Sequence, residues 1–418
     1  MTEMPDISRQ QPKLSADGKR MTALAMEMFY ASSFTESEYA RLRLQELASS
    51  LIKRGHQSVL SQAGEYLFNT DMEAYNCLLE VIESYCESAV IVERQQRYQF
   101  LLVAIPVLAW TRYTIPSGEL DATVYQALHE AFRQTLLAED VQMSLSPVLY
   151  AVDRMPMEPV EVYRASQQFL ESIKSGNPCV LPAKQETVPF MADGRYLLAG
   201  VMAAEGSPIF CWQAVPDPAD MEAQKNRALQ LWQQAALPWI KQVLPGCHLE
   251  FLLPGGFFNT CRKTDQEIRS ATVRAAVQYL ENALNIPAQA LGAVIGGFGK
   301  DSSGSQVEEY RISFYHPKDR KIVYGIVWPI YGVEEIEGMS MPVLLEKHPG
   351  STKAKAGSQL LAIFRLLREL GVQFEKTPVD RFITEYCDDC GAPLFADTKG
   401  ELVHAEMPED IQKDIKLH

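Results

Sequence analysis

"LLVAIPVLAW", residues 101–110, is the longest apolar run in a chain of 418 residues. Ten residues are too few to cross a bilayer as a helix, which takes about 20. Pro106 lies inside the run and would bend a helix there. The run is therefore expected to be a kinked, buried core helix, part of a helical segment over roughly 93–113. Both flanks point the same way. Upstream, "YARLRLQELASSLIKRG" puts Leu44, Leu47, Ala48, Leu51 and Ile52 on one stripe, with Thr35 and Glu38 as a capping pair and Gly55 as the stop. "DMEAYNCLLEVIESYCESA" repeats the stripe with Tyr75, Leu78, Leu79, Ile82 and Cys86, which makes Cys86 a core residue. Downstream, a further helix is expected over 119–137. His129–Glu130 on it lacks a second histidine at position 133, which is Arg, so it is a surface helix and not a zinc-protease helix. Residues 1–140 are thus expected to be an all-helical domain.

The remainder changes character. "YLLAGVMA" and "IVYGIVWPI" are continuously apolar, as in strands covered on two faces. At an offset of 125 residues, "VPFMADGRYLLAGVM" (188–202) lies over "SFYHPKDRKIVYGIV" (313–327), matching Arg195 to Arg320 and Gly200 to Gly325. Each reads as a hairpin followed by a long helix and a strand. The fold class expected is α+β and multidomain: the helical domain, a duplicated strand–strand–helix–strand unit at 141–262 and 263–378, and a small C-terminal knuckle with its tail at 379–418. A helix capped by Thr264 and Glu267 should precede the second hairpin.

Composition is globular, with 47% hydrophobic, 22% charged and 9% aromatic residues. A net charge of −14 opposes phosphate backbones, so no nucleic-acid partner is expected. No apolar leader or membrane span is visible, and eight scattered cysteines do not make a disulfide framework. A cytoplasmic protein with reduced thiols follows.

The strongest chemical signal is "EYCDDCGAPLF" (385–395), a C-x-x-C followed by Gly391. The next stretch, "PLFADTKGELVHAE", reads as a hairpin that returns His404 toward Cys387 and Cys390, with Glu406 on the same strand face. Tetrahedral zinc takes N and S ligands of this kind, so a structural zinc at Cys387, Cys390 and His404 is expected. Glu406, Cys261 or water would supply the fourth position. Cys261 sits beside Arg262 and Lys263, which favour a thiolate. Arg195 and Arg320 are candidate anion ligands, with solvated turn residues as the plainer reading. "GGFGKDSSGS" (296–305) lacks the glycine and Ser/Thr of a phosphate loop and reads as a hairpin connection. Cys247 and His248 are neighbours on a strand, face opposite ways, and cannot act as a pair.

"GFFNTCRKTDQEIR", "YCDDCGAPLF" and "HAEMPED" together resemble an uncharacterised beta-proteobacterial family, a domain of unknown function covering most of the chain. The resemblance implies a bacterial protein and brings no activity. Two functions are compatible with these residues. One is a non-catalytic scaffold or regulator that binds a protein partner through its helical domain, or a small molecule. The other is an enzyme with its site in a cleft between the two α/β units.

Overall fold

The computed structural model describes residues 13–93, 95–111, 115–182, 192–299, 307–316, 318, 320–330, 359–377, 379, 381–388 and 391–407. The chain divides into two compact units, one drawn from residues 1–108, 116–187 and 194–264, the other from 109–115, 188–193 and 265–418.

The first unit opens with four helices: α1 (Ala16–Tyr30), α2 (Phe34–Lys53), α3 (Gln57–Thr70) and α4 (Met72–Glu87). Side-chain caps hold three of their starts. Ser15 accepts from the Gly18 amide, Ser33 from Glu36 and Asp71 from Ala74, each satisfying an amide the helix itself cannot. The cap of α2 is Ser33, not the expected Thr35–Glu38 pair. Glu36 reaches back to the Ser32 amide and hydroxyl, while Glu38 pairs with Arg41.

Residues 88–110 correct the all-helical expectation. They form β1 (Ser88–Glu93) and β2 (Gln96–Trp110), an antiparallel hairpin in register from Ser88↔Leu101 to Glu93↔Gln96. The reason lies in the apolar run itself. A strand buried on both faces needs no polar alternation, so a continuous apolar segment fits it as well as it fits a core helix. Phe100, Leu102 and Ala104 of β2 join the core made with α1–α4, while the intervening Val103, Ile105 and Val107 are fully buried outside that cluster. Pro106 has no amide to donate, but its carbonyl accepts from the Leu252 amide at 3.2 Å. β2 therefore continues through the proline without a kinked helix.

The sheet grows outward from β2 in the order β1-β2-β4-β3, with β3 at Gln142–Leu145 and β4 at Ala192–Ala204; β5 (His248–Phe251) and β6 (Gly255–Gly256) also pair with β2. Helix α6 (Pro159–Ser175) joins α1–α4 through Phe169 and Leu170. Helices α5 (Ala122–Leu136) and α7 (Met221–Val243) meet through Phe132 and Trp232, whose rings lie 6.0 Å apart, and Trp232 also meets Phe251 of β5 at 6.3 Å.

Helix α8 (Phe257–Leu284) begins in the first unit and runs on into the second, where β7 (Gly292–Gly299), β8 (Glu309–Tyr315), β9 (Ile322–Pro329), α9 (Gln359–Glu369) and β10 (Gln373–Lys376) follow. The strand order is β10-β7-β8-β9, with β10 and the short β11 (Phe382–Ile383) parallel to β7. Val273, Val277 and Leu280 of α8 and Ile363 and Leu367 of α9 bury one sheet face.

The described residues do not confirm the expected repeat, and residues 188–191 of the first hairpin lie outside them. The second hairpin exists as β8–β9. In the first, the expected turn at residues 192–194 is the start of one continuous strand, β4. Thr264 does not cap a helix either: α8 begins seven residues earlier, and the buried Thr264 hydroxyl bonds back to the Thr260 carbonyl. A Ser/Thr followed by Glu is also compatible with a helix interior when the hydroxyl can return to the preceding turn.

The C-terminal hairpin forms as expected, as β12 (Phe395–Ala396) and β13 (Leu402–Val403), with Asp397 bracing the turn through the Lys399 and Glu401 amides. Phe395 packs over Gly325, where a Cβ would stand 2.3 Å from its ring. Beneath it Arg311 is fully buried. Its guanidinium donates to the Glu385 and Leu394 carbonyls, pairs with Glu309 at 2.7 Å and lies over the Phe298 ring at 4.3 Å. Gly325→Val is expected to expel Phe395, cost about 1–3 kcal/mol and expose residues 385–407 to limited proteolysis. Unchanged proteolysis there would contradict this docking.

Candidate functional site

A groove of about 440 Å³ lies between α3 and α4 in the first unit, within the ~300–1,000 Å³ span of small-molecule pockets. Its walls follow from helical spacing. Gln57, Leu60, Ser61, Gly64, Glu65 and Phe68 step along one face of α3 by threes and fours, and Tyr75, Leu78, Leu79, Ile82 and Glu83 do the same on α4. The bottom is buried: Leu60, Leu78 and Ile82 are at most 3% exposed. The rim is not. Phe68 is 48% and Met157 49% exposed, and Phe68 meets Tyr75 edge-on at 5.4 Å.

One end is polar. Gly255 and Gly256 pair with Ala104 and Val103 of β2, and α8 starts at the next residue. The first turn of α8 thereby meets the last turn of α4. Glu87 accepts from the Phe258 amide at 2.9 Å, which satisfies one free donor of the helix start. One turn along each helix, Glu83 pairs with Arg262 at 2.5 Å. A Cβ on residue 256 would stand 2.9 Å from a Glu87 oxygen, so any larger residue there would shift the Glu87 carboxyl.

Burial raises the Glu87 carboxyl to about 7, against the pull of the Phe258 amide and with Glu83 adding repulsion. Burial likewise raises the thiols of Cys77, Cys86, Cys211 and Cys247, and Cys179 to about 12, so each of these five is a thiol, not a thiolate, near neutral pH.

The residues expected to carry chemistry are dispersed over the two units. Cys261 is 6% exposed on α8 and belongs to the apolar core of the first unit. Cys387 lies in a loop between β11 and β12. Arg195 is buried inside β4. Arg320 is an exposed turn residue at φ +57°, 3.6 Å from Glu375 and stacked on the Tyr315 ring. The two arginines are therefore not related positions after matching turns.

In the cysteine loop, the Cys387 carbonyl accepts from Gly391, which has φ +71°, and the Cys387 amide donates to Ala392. That is the turn the sequence led us to expect. Cys390 lies outside the described residues, as does the connection at 300–306. His404 Nδ1 lies 3.6 Å from Glu406 Oε1. Among the described residues, no three His, Cys, Asp or Glu side chains gather closely enough to hold a metal ion, and no helix is long and apolar enough to cross a membrane. The groove was missed because its α4 wall was read as core. Tyr75 and Leu79 carried the signal: they belong to the apolar stripe yet are only half-buried.

Comparison with known families matches residues 7–418 to the family described as "Protein of unknown function (DUF2863)". The chain belongs to that family. No curated protein and no solved structure matches it.

The Glu87 carboxyl yields a pH prediction. Below the ordinary carboxyl range, folded and unfolded chains both hold the proton. Between there and about 7 the unfolded chain releases it while the folded one retains it, so stability falls as pH rises through that window and then levels. The loss is on the order of 3 kcal/mol. Glu87→Gln keeps an oxygen for the Phe258 amide and cannot ionise. Its unfolding free energy should lose most of this decline between about pH 5 and 7.5. An unaltered pH profile in denaturant titrations would count against the assignment.

Proposed function

We propose that this protein is a non-catalytic cytoplasmic scaffold or regulator that holds a protein partner in the groove between α3 and α4. The observation that carries the reading is the groove's construction: a buried apolar floor, an aromatic and methionine rim, and a polar end fixed by Glu83–Arg262 and Glu87–Phe258. Large apolar side chains half exposed around a concavity are characteristic of binding surfaces. The raised thiols support binding over thiol chemistry.

A photo-crosslinking residue in place of Phe68 should capture a discrete protein in the native cell. The same residue in place of Gln234, exposed on α7, should not. Equal capture at both positions, or none at Phe68, would overturn the reading.

A structural zinc at Cys387, Cys390 and His404 is a separate part of the proposal. Its support is the Cys387–Gly391 turn and the hairpin that carries His404. Protein purified without a metal-chelating tag should contain close to one equivalent of zinc, lost in Cys387→Ser. A content below about a tenth of an equivalent would remove the metal from this account.

A further inference from the structure

We infer that the occupant of the α3–α4 groove is a cationic amphipathic helix of the partner protein, with leucine-like residues on one face and lysine or arginine beside them. The inference rests on the groove being a partner site and adds the chemistry of the partner. Three observations carry it: shape, charge and the pairing of the lining arginine, Arg262, with Glu83.

The groove is a trough between two helices whose side chains repeat by threes and fours. A third helix places its own apolar residues at the same spacing, which is how amphipathic helices fill such troughs. Met157 and Phe68 on the rim can adapt to or cover an inserted side chain.

The charge is one-sided. From Gly55 to Glu93 the sequence contains Glu65, Asp71, Glu73, Glu80, Glu83, Glu87 and Glu93, and no lysine or arginine. Glu65, Glu73 and Glu80 are exposed along the two groove helices. Their field reaches the thiol of Cys77, where Glu80, Glu73 and Asp71 all add to its raised value. A cationic partner is drawn to such a surface and an anionic one is repelled. Lys53, Arg54 and Arg164 stand at the Gly55 end, beyond the start of α3.

Arg262, the cation among the lining residues, is already committed to Glu83, with Glu87 close enough to add to its raised value. It therefore offsets the carboxylate of Glu83 and does not reverse the acidic character of the groove helices.

The test uses the full chain and two fluorescent synthetic peptides with one leucine pattern, one with lysines and one with glutamates on the polar face, measured by anisotropy. The leucine–lysine peptide should bind at least about tenfold more tightly than the leucine–glutamate peptide, and more weakly in high salt. Phe68→Ser, a rim change that leaves the core intact, should weaken the lysine peptide several-fold. The double change Glu65→Lys and Glu80→Lys should weaken it about tenfold. Circular dichroism checks that each variant is folded. Equal or tighter binding of the glutamate peptide would overturn the charge assignment and leave the groove as a partner site. Lysine-peptide binding indifferent to Phe68→Ser would mean attraction to an acidic protein in general, and would overturn the inference. If neither peptide binds, the cationic helix is wrong, and crosslinking at Phe68 alone decides whether the groove holds another kind of partner.

Discussion

A buried backbone must satisfy its own polar groups, and in this protein that requirement falls hardest on β2. Residues 102–109 are buried almost without exception, so water cannot reach their amides and carbonyls. An unpaired group there costs free energy comparable to a lost hydrogen bond. Neighbouring strands supply the partners: β1 ends its pairing at Leu101, and β4, β5 and β6 also pair with β2. Pro106 removes one donor from the ladder, yet its carbonyl still accepts from Leu252. The position of β6 then decides where α8 begins, because Gly256 pairs with Val103 and Phe257 is already helical. The polar end of the groove follows from that pairing, since the start of α8 needs an acceptor and Glu87 at the end of α4 supplies one.

The second unit meets a related constraint with charge. Arg311 is buried in the middle of β8, where an unpaired guanidinium would be very costly. Glu309 two residues away, two carbonyls from the 385–394 loop and the face of Phe298 surround it. The loop and hairpin are held to the sheet because the arginine needs those carbonyls and because Phe395 fits the space over Gly325. The C-terminal segment, short of apolar residues of its own, is ordered by partners on β8 and β9.

Glu83 and Glu87 lie one turn apart on α4 and have different circumstances. Glu83 faces Arg262 at the groove, while Glu87 is more deeply placed against an amide and is pushed to about 7. Desolvation outweighs one hydrogen bond in the second case. The groove's apolar floor and its acidic surroundings thus have a common origin in α3 and α4, whose inward rows are apolar and whose outward positions carry carboxylates.

The helices flanking the apolar run, the strands β5 and β10, the β8–β9 hairpin and the C-terminal hairpin were legible in the sequence, because each rests on local periodicity or turn chemistry. Burial of Cys86 followed from its stripe in the same way. Residues 101–110 were not legible. An all-apolar run has no period, and only the strands that pair with it decide that it is extended. The start of α8 was hidden for a similar reason: Gly255–Gly256 reads as a turn until β2 is beside it. The site was half visible. Tyr75, Leu78, Leu79 and Ile82 were read correctly as one face of a helix, but which members of that face are covered depends on α3, Met157 and α8, contributed from other parts of the chain. The sequence by itself determined composition, charge, most helices and the carboxylates of α3 and α4. Tertiary structure alone decided that β2 is a strand, that Glu87 caps α8, and that part of an apolar stripe is left open as a groove, because each depends on groups that the chain brings together from a distance.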